Sequence, residues 1–279
     1  MEYLSLLSNL SNISIWSVLS VFFLILMRLV PMMFMAPFLG AKLAPAIARM
    51  GIAISLSLIF LPFVIAKVHT PPAFNNAFLG FALKEILIGF ILALMVSVPF
   101  YTVQTSGIII DYLRGASIMQ AQDPSMQTQA SPIGILYNYV LIVIFFQING
   151  PFIMFDGVLR SFEIVPADHY INPLFFSSHS PFWKVGVDII NQIVTIAIQL
   201  AAPSLVAILM AEMFLGIANR LAPQVQIAFL GMSIKSLLGL AFLWAAWFFI
   251  LKQFARHSYD WLELLNRVIY YMKPLVPQS

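Results

Sequence analysis

The chain has no cysteine among its 279 residues, and only 9% of them are charged. The missing cysteine excludes disulfides, thiolate-bound zinc and thiol nucleophiles, and it suits a chain that faces an oxidising periplasm. The missing charge excludes an ordinary soluble domain, in which about a quarter of the residues are charged and form a hydrated shell over the core. A basic stripe with interleaved aromatics is also missing, so the net charge of +3 gives no sign of nucleic-acid binding. The four histidines, His69, His169, His179 and His257, form no metal-binding spacing on an apolar helix. His257 lies three residues before Asp260, on a polar face where a solvated pair is expected. No phosphate-cradling loop, dinucleotide fingerprint or Gly-x-Ser-x-Gly motif occurs, so the reading is of no enzyme and no cofactor. No Lys or Arg precedes Arg28, and no small-residue cleavage site follows the first apolar run. That run is therefore expected to stay as a membrane helix rather than leave as a signal peptide.

What is present is apolar: 61% hydrophobic residues and a mean hydropathy of +0.95. This predicts an all-α integral membrane protein. A spanning helix needs ~20 apolar residues, and six segments qualify: Ile13–Met35, Ala46–Ala66, Ala77–Ile110, Pro132–Phe155, Ile189–Ala211 and Ile234–Leu251. The third is too long for one straight span and carries Lys84, Glu85 and Pro99. Pro31, Pro99 and Pro203 are expected to kink or break their helices, because each removes a donor and crowds the preceding turn. Phe254, Trp261, Leu265, Val268 and Met272 share one face of 252–272, opposite the i,i+4 pairs Arg256/Asp260 and Glu263/Arg267. This C-terminal amphipathic helix is expected at an interface or on a partner. Its basic residues suggest a cytoplasmic C-terminus. The organisation expected is one membrane domain, 1–279. It comprises N-terminal helices (13–110), a polar segment (111–132), a helix (133–155), a mixed loop (156–188), a helical hairpin (189–251) and an amphipathic tail (252–279).

The polar segment, Asp111–Ser131, interrupts this oil. It holds the Asp111/Arg114 pair, Gly115, Asp123, Pro124 and four glutamines between Gln120 and Gln129, while Ile86–Ile110 and Pro124–Phe155 carry no charge. At membrane depth such a segment must be buried in protein or line a water-filled space. It reads as an exposed loop, a small-solute site or the plug of a wide pore. A small-ion site concentrates charge or ordered carbonyls, so a mostly neutral, glycine-containing segment suits a plug better.

Charges elsewhere are few enough to name. Lys84 and Glu85 sit inside an apolar run, where charge is costly and faces protein or water. One reading is assembly, with Lys84 snorkelling to an interface and Glu85 bonded to a neighbouring helix; the other is proton coupling. Adjacent residues do not face each other on a helix, so different partners are expected for the two. Glu212, Arg220 and Lys235 punctuate a turn between helices and suggest a docking surface. The methionines Met27, Met32, Met33, Met35 and Met50 read first as packing and second as a deformable seal.

The segments DYLRGASIMQAQDPSMQTQASPIGILYNYVLIVIFF, DGVLRSFEIVP and ANRLAPQVQIAFLGMSIKSLLGL, with the KE-x3-G pattern at Lys84, Glu85 and Gly89, resemble the FliR/SctT family of export-gate components. Arg114-Gly115-Ala116, Asp123-Pro124 and Ser131-Pro132 resemble the injectisome branch more than the flagellar one. The resemblance implies bent helical hairpins in a gate built with two smaller membrane proteins, in the bacterial inner membrane and projecting towards the periplasm. It also implies a switch protein and export ATPase machinery as further partners, and unfolded secreted polypeptides as cargo. It places the pore plug at about Arg114–Ser131, with Arg114, Gly115, Ile118, Met119, Gln120, Gln122, Asp123, Pro124 and Ser131 as candidates; within it Ile118 and Met119, the only large adjacent apolar pair, are expected to make the seal. A secondary transporter of a small solute, and an assembly scaffold that does not line the pore, are the alternatives.

Overall fold

The computed structural model describes residues 14–39, 44–68, 70–116, 131–170, 181–221 and 227–271, and among them every regular element is helical. The chain divides into two compact units. One comprises 1–98, 149–188 and 261–279; the other comprises 99–148 and 189–260.

In the first unit, α1 (Ile15–Met35) starts at Ser14, whose Oγ accepts the Ser17 N–H at 3.2 Å. A serine hydroxyl satisfies one of the orphan donors of a first turn in this way. Val21, Leu24, Ile25, Leu29, Met32 and Met33 are buried along α1 at helical spacing. α1 packs on α2 (Ala46–Ile65). It also meets α3 (Asn76–Asp111), whose residues up to Val98 belong to this unit. Leu24 and Ala82 pack with Ala167, edged by Met27, Val68, Phe78 and Phe81. At Gly89 the two backbones touch, since a Cβ there would overlap the carbonyl of Arg28. α5 (Gly150–Ile164) follows Asn149, which has φ 58°.

The second unit contains the rest of α3 from Pro99, a single π-helical turn (Tyr112–Ala116) and α4 (Pro132–Gln147). It also holds α6 (Pro181–Leu221) from Ile189 onward, α7 (Ile227–Ala245), and α8 (Trp247–Tyr271) as far as Asp260. Its core includes Phe100 against Phe145, with ring centroids 5.3 Å apart, and Tyr137 edge-on to Phe254 at 5.2 Å. α3 and α4 approach so closely that a Cβ on Gly107 would overlap the backbone of Gly134. α7 and α8 meet at a 62° bend.

By length and composition, four of the described helices can cross a membrane, or up to six if each bent pair forms one span. The expectation of an all-α membrane protein holds. Several details differ from it. None of Pro31, Pro99 and Pro203 ends its helix. At Pro99 the reason is visible. Proline cannot donate to the carbonyl four residues back, and Trp261 Nε1–H donates to that Met95 oxygen instead, at 2.6 Å. Lys84 and Glu85 likewise leave α3 unbroken. The run expected as one helix over Pro132–Phe155 is divided at Ile148-Asn149, where the left-handed Asn149 turns the chain and Pro151 opens α5. α5 then extends to Ile164 and α6 starts at Pro181, so both enter the stretch expected as a mixed loop. The amphipathic tail is continuous with Trp247–Leu251 in α8.

The glycine contacts yield a stability test. Gly89→Ala and Gly107→Ala push a methyl group into backbone that cannot move aside, and each lowers stability by about 1–3 kcal/mol or more. Gly51, with nothing within 4 Å of an added Cβ, gains helix propensity as alanine and leaves Tm unchanged or higher. Thermal denaturation in detergent checks all three; an equal response of Gly51→Ala and Gly89→Ala contradicts the close approach.

Candidate functional site

Two buried polar clusters stand out, one in each unit. The first is built on Arg28, whose side chain is fully buried in α1. Its Nε and Nη2 donate to the two oxygens of Glu85, the second at 3.0 Å, a bidentate pair in which Glu85 is also fully buried. Nη1 donates to Ser161 Oγ at 2.9 Å, and Nη2 also donates to the Val165 carbonyl at 2.9 Å. The guanidinium lies 3.7 Å from the centroid of Phe162, a cation–π contact strengthened by the lack of water.

Lys84 completes this cluster. Its Nζ is 2.7 Å from Glu85 Oε1 and donates to the carbonyls of Pro166, Ala167 and His169 at 2.8, 3.2 and 3.0 Å. Two cations therefore take the carbonyls at and beyond the end of α5, where the helix dipole and the unpaired oxygens favour positive charge. Asp168, in the same turn, accepts from Thr70 N–H at 3.2 Å and contacts His169 Nδ1 at 2.8 Å. With it, the formal charges of Arg28, Lys84, Glu85 and Asp168 sum to zero. The expectation that Lys84 and Glu85 have separate partners is half corrected. Their longer contacts diverge as helix geometry requires, but the flexible lysine stem bends back to share the carboxylate. Nor does Lys84 reach for an interface, since it is only 6% exposed.

The second cluster is built on Asp111, the last residue of α3, which is 2% exposed. Oδ1 accepts from Arg114 Nη2 at 2.5 Å, so the pair expected from the sequence forms. Oδ2 accepts from Ser131 Oγ at 2.6 Å and from the Ile133 N–H at 2.9 Å. Ser131 caps α4 by accepting the Gly134 N–H at 3.0 Å. One carboxylate thus holds the end of α3 and the start of α4, at a helix N-terminus where negative charge is favoured. The turn that follows α3 is a π turn ending near Gly115, at φ 100°, a conformation that glycine adopts without strain. This turn packs on α7. Arg114 Nε is buried without a hydrogen-bond partner.

Of the candidate plug residues, Arg114, Gly115 and Ser131 are therefore brought together. Ile118, Met119, Gln120, Gln122, Asp123 and Pro124 lie outside the described residues. Glu212 and Lys235 form an ion pair at 2.6 Å that joins α6 to α7, and Arg220 is in the exposed last turn of α6. His257 bonds Gln253 at 2.9 Å, one turn back on α8. No group of three or more His, Cys, Asp or Glu among the described residues could hold a metal. Sequence reasoning omitted Arg28 and Asp111 from the site. A partial signal for Arg28 was available, because Glu85 is the sole acid between residues 3 and 110 and a cation inside an apolar run needs a counter-charge, but Lys42, Arg49, Lys67 and Lys84 share that stretch and the sequence does not choose among them.

The profile of bacterial export proteins, family 1, matches residues 19–260. The chain belongs to this family. Among FliR/SctT relatives, the Yop proteins translocation protein T of Yersinia pestis is 32% identical over 218 residues, covering 76% of this chain and 80% of the relative. The surface presentation of antigens protein SpaR of Salmonella typhimurium is 28% identical over 209 residues, 75% and 76% of the two chains. The flagellar biosynthetic protein FliR of Bacillus subtilis is 26% identical over 216 residues, 77% and 81%. Identity to these injectisome relatives exceeds that to the flagellar one. Both buried clusters lie inside the matched region of this FliR/SctT chain.

Removing one partner of a buried ion pair strands the other charge. Arg28→Met and Glu85→Leu each lower stability by about 3–5 kcal/mol, whereas the double variant recovers much of that loss. Thermal denaturation of the three variants in detergent reads this, and additive losses would contradict the pairing.

Proposed function

We propose that this chain is a component of a type III secretion export gate in the bacterial inner membrane, with part of the assembly towards the periplasm. With two smaller membrane subunits it forms the path taken by unfolded secreted polypeptides. A switch protein and the export ATPase machinery act beside it. The observation that carries this reading is the family match across residues 19–260, together with relatives whose names specify translocation of Yop proteins and flagellar biosynthesis.

Within that gate, the segment from Arg114 to Ser131 acts as the plug. Three features support it. The segment is polar and mostly uncharged between two apolar helices. Its flanks converge on one carboxylate. A polar segment at membrane depth needs protein or water around it, and a closed conduit supplies both. Lys84 and Glu85 serve assembly: with Arg28 they saturate one another and the end of α5. Glu212, Arg220 and Lys235 lie at or near a partly exposed ion pair between two helices, suited to docking a neighbouring subunit. The chain performs no chemistry of its own in this reading.

Deleting Gln120–Gln129 makes cells or reconstituted vesicles leaky to small ions while the gate complex still assembles. Conductance recordings with the assembled complex check this, and a conductance equal to that of the parent overturns the plug assignment.

A further inference from the structure

We propose that Asp111 is the positioning residue that anchors both ends of the polar segment, holding the end of α3 to the start of α4 as one fixed base. This rests on the plug reading and adds to it the residue that sets where the segment starts and returns.

The geometry carries the assignment. A carboxylate has two oxygens and about four acceptor sites, and Asp111 uses them on groups from both sides of the segment. Arg114 Nη2 binds one oxygen, three residues after Asp111; Ser131 Oγ and the Ile133 N–H bind the other, twenty and twenty-two residues after it. No second acid is close in sequence, since the next acid after Asp111 is Asp123 and the next after that is Asp156. The base is also rigid on its helical side. Gly107, one turn before Asp111, lies against Gly134, in the first turn of α4, so closely that an added Cβ would overlap the backbone there. Ser131 does two jobs at once, donating to Asp111 and accepting from Gly134 N–H. Its loss therefore uncaps α4 and releases one side of the base together. Ser131→Thr keeps both roles, because threonine also caps helices.

The consequence is a division of labour. Whatever the residues between the anchors do as a polypeptide passes, their attachment points stay 20 residues apart in sequence and bonded in space. Asp111 acts on the segment through these bonds and does not itself need to touch a passing polypeptide.

The test uses the assembled gate. Because the chain lacks cysteine, a single Gln122→Cys can be labelled with a membrane-impermeant maleimide. In that background, Asp111→Ala raises the labelling rate about tenfold, the effect expected for losing buried hydrogen bonds. Ser131→Ala raises it in the same direction by about threefold, for one lost bond among several, and Ser131→Thr leaves it unchanged. Ion conductance rises in parallel, with an unchanged amount of assembled complex. Parental labelling and conductance in Asp111→Ala and Ser131→Ala overturn the anchor, even where the Gln120–Gln129 deletion leaks and the plug reading stands. If that deletion does not leak, the plug reading fails, and the labelling rates alone decide the anchor. If Asp111→Ala does not assemble, the comparison of Ser131→Ala with Ser131→Thr decides instead: a faster rate in the alanine variant supports the anchor, and equal rates overturn it.

Discussion

The Arg28–Glu85 ion pair, sealed from solvent on both sides, is the constraint around which the first unit is arranged. Hydrocarbon offers neither water nor counter-ions, so a charge carried into it must bring every partner from the chain itself. Arg28 does so with Glu85, Ser161, Val165 and the face of Phe162. Those partners come from α3 and from α5 and its end, which means that a single guanidinium specifies how three segments meet. Its five donors in a fixed fork make this possible where a lysine ammonium would not. Lys84 then takes the task that suits a point charge on a flexible stem, gathering three carbonyls of an irregular turn. Such a pair contributes little net stability compared with apolar packing of the same volume. What it contributes is discrimination, because any other register of these helices leaves a bare charge in a dry core.

Asp111 repeats the logic with the sign reversed. Here the central group is an acceptor, and its partners are an arginine, a serine and a backbone N–H at the start of a helix. In both units an ionised side chain substitutes for secondary structure at the place where helical bonding stops: the end of α5 in one, the end of α3 and the start of α4 in the other. Helix ends leave several backbone groups unsatisfied, and in a chain with so few polar residues the charged ones are assigned there. This explains why Arg28, Lys84, Glu85, Asp111 and Asp168 are buried in two clusters, while charges with no such task, Asp156, Arg160 and Glu163 among them, stay exposed.

The same logic shows what could be read from sequence. The apolar runs, their helical state and the membrane class were legible, because length and composition decide them. The helix interruptions were not. Pro99 looked like a break, and the indole of Trp261, 162 positions later, removes the penalty by bonding Met95 O. Asn149 carries no mark in the sequence, and its left-handed backbone divides what composition presents as one span. Both outcomes depend on groups or dihedrals that local periodicity does not encode.

For the candidate site, legibility followed sequence distance. The Asp111/Arg114 pair is three residues apart and was visible; its bond to Ser131 spans twenty residues and required the fold. Arg28 and Glu85 are fifty-seven residues apart, and because Glu85 is the sole acid between residues 3 and 110, composition narrowed the pairing without deciding it. Scarcity therefore works as information. In a soluble domain, with about a quarter of its residues charged, a lone arginine has many suitors and none is implied. In this chain each buried charge has so few that chemistry narrows the choice before any coordinate does. Ser131 was named from the sequence but not its bond to Asp111, and Ser161, for which the sequence holds many equivalents, escaped such reasoning altogether. A hydroxyl gains meaning only when the carboxylate or guanidinium it serves has been placed.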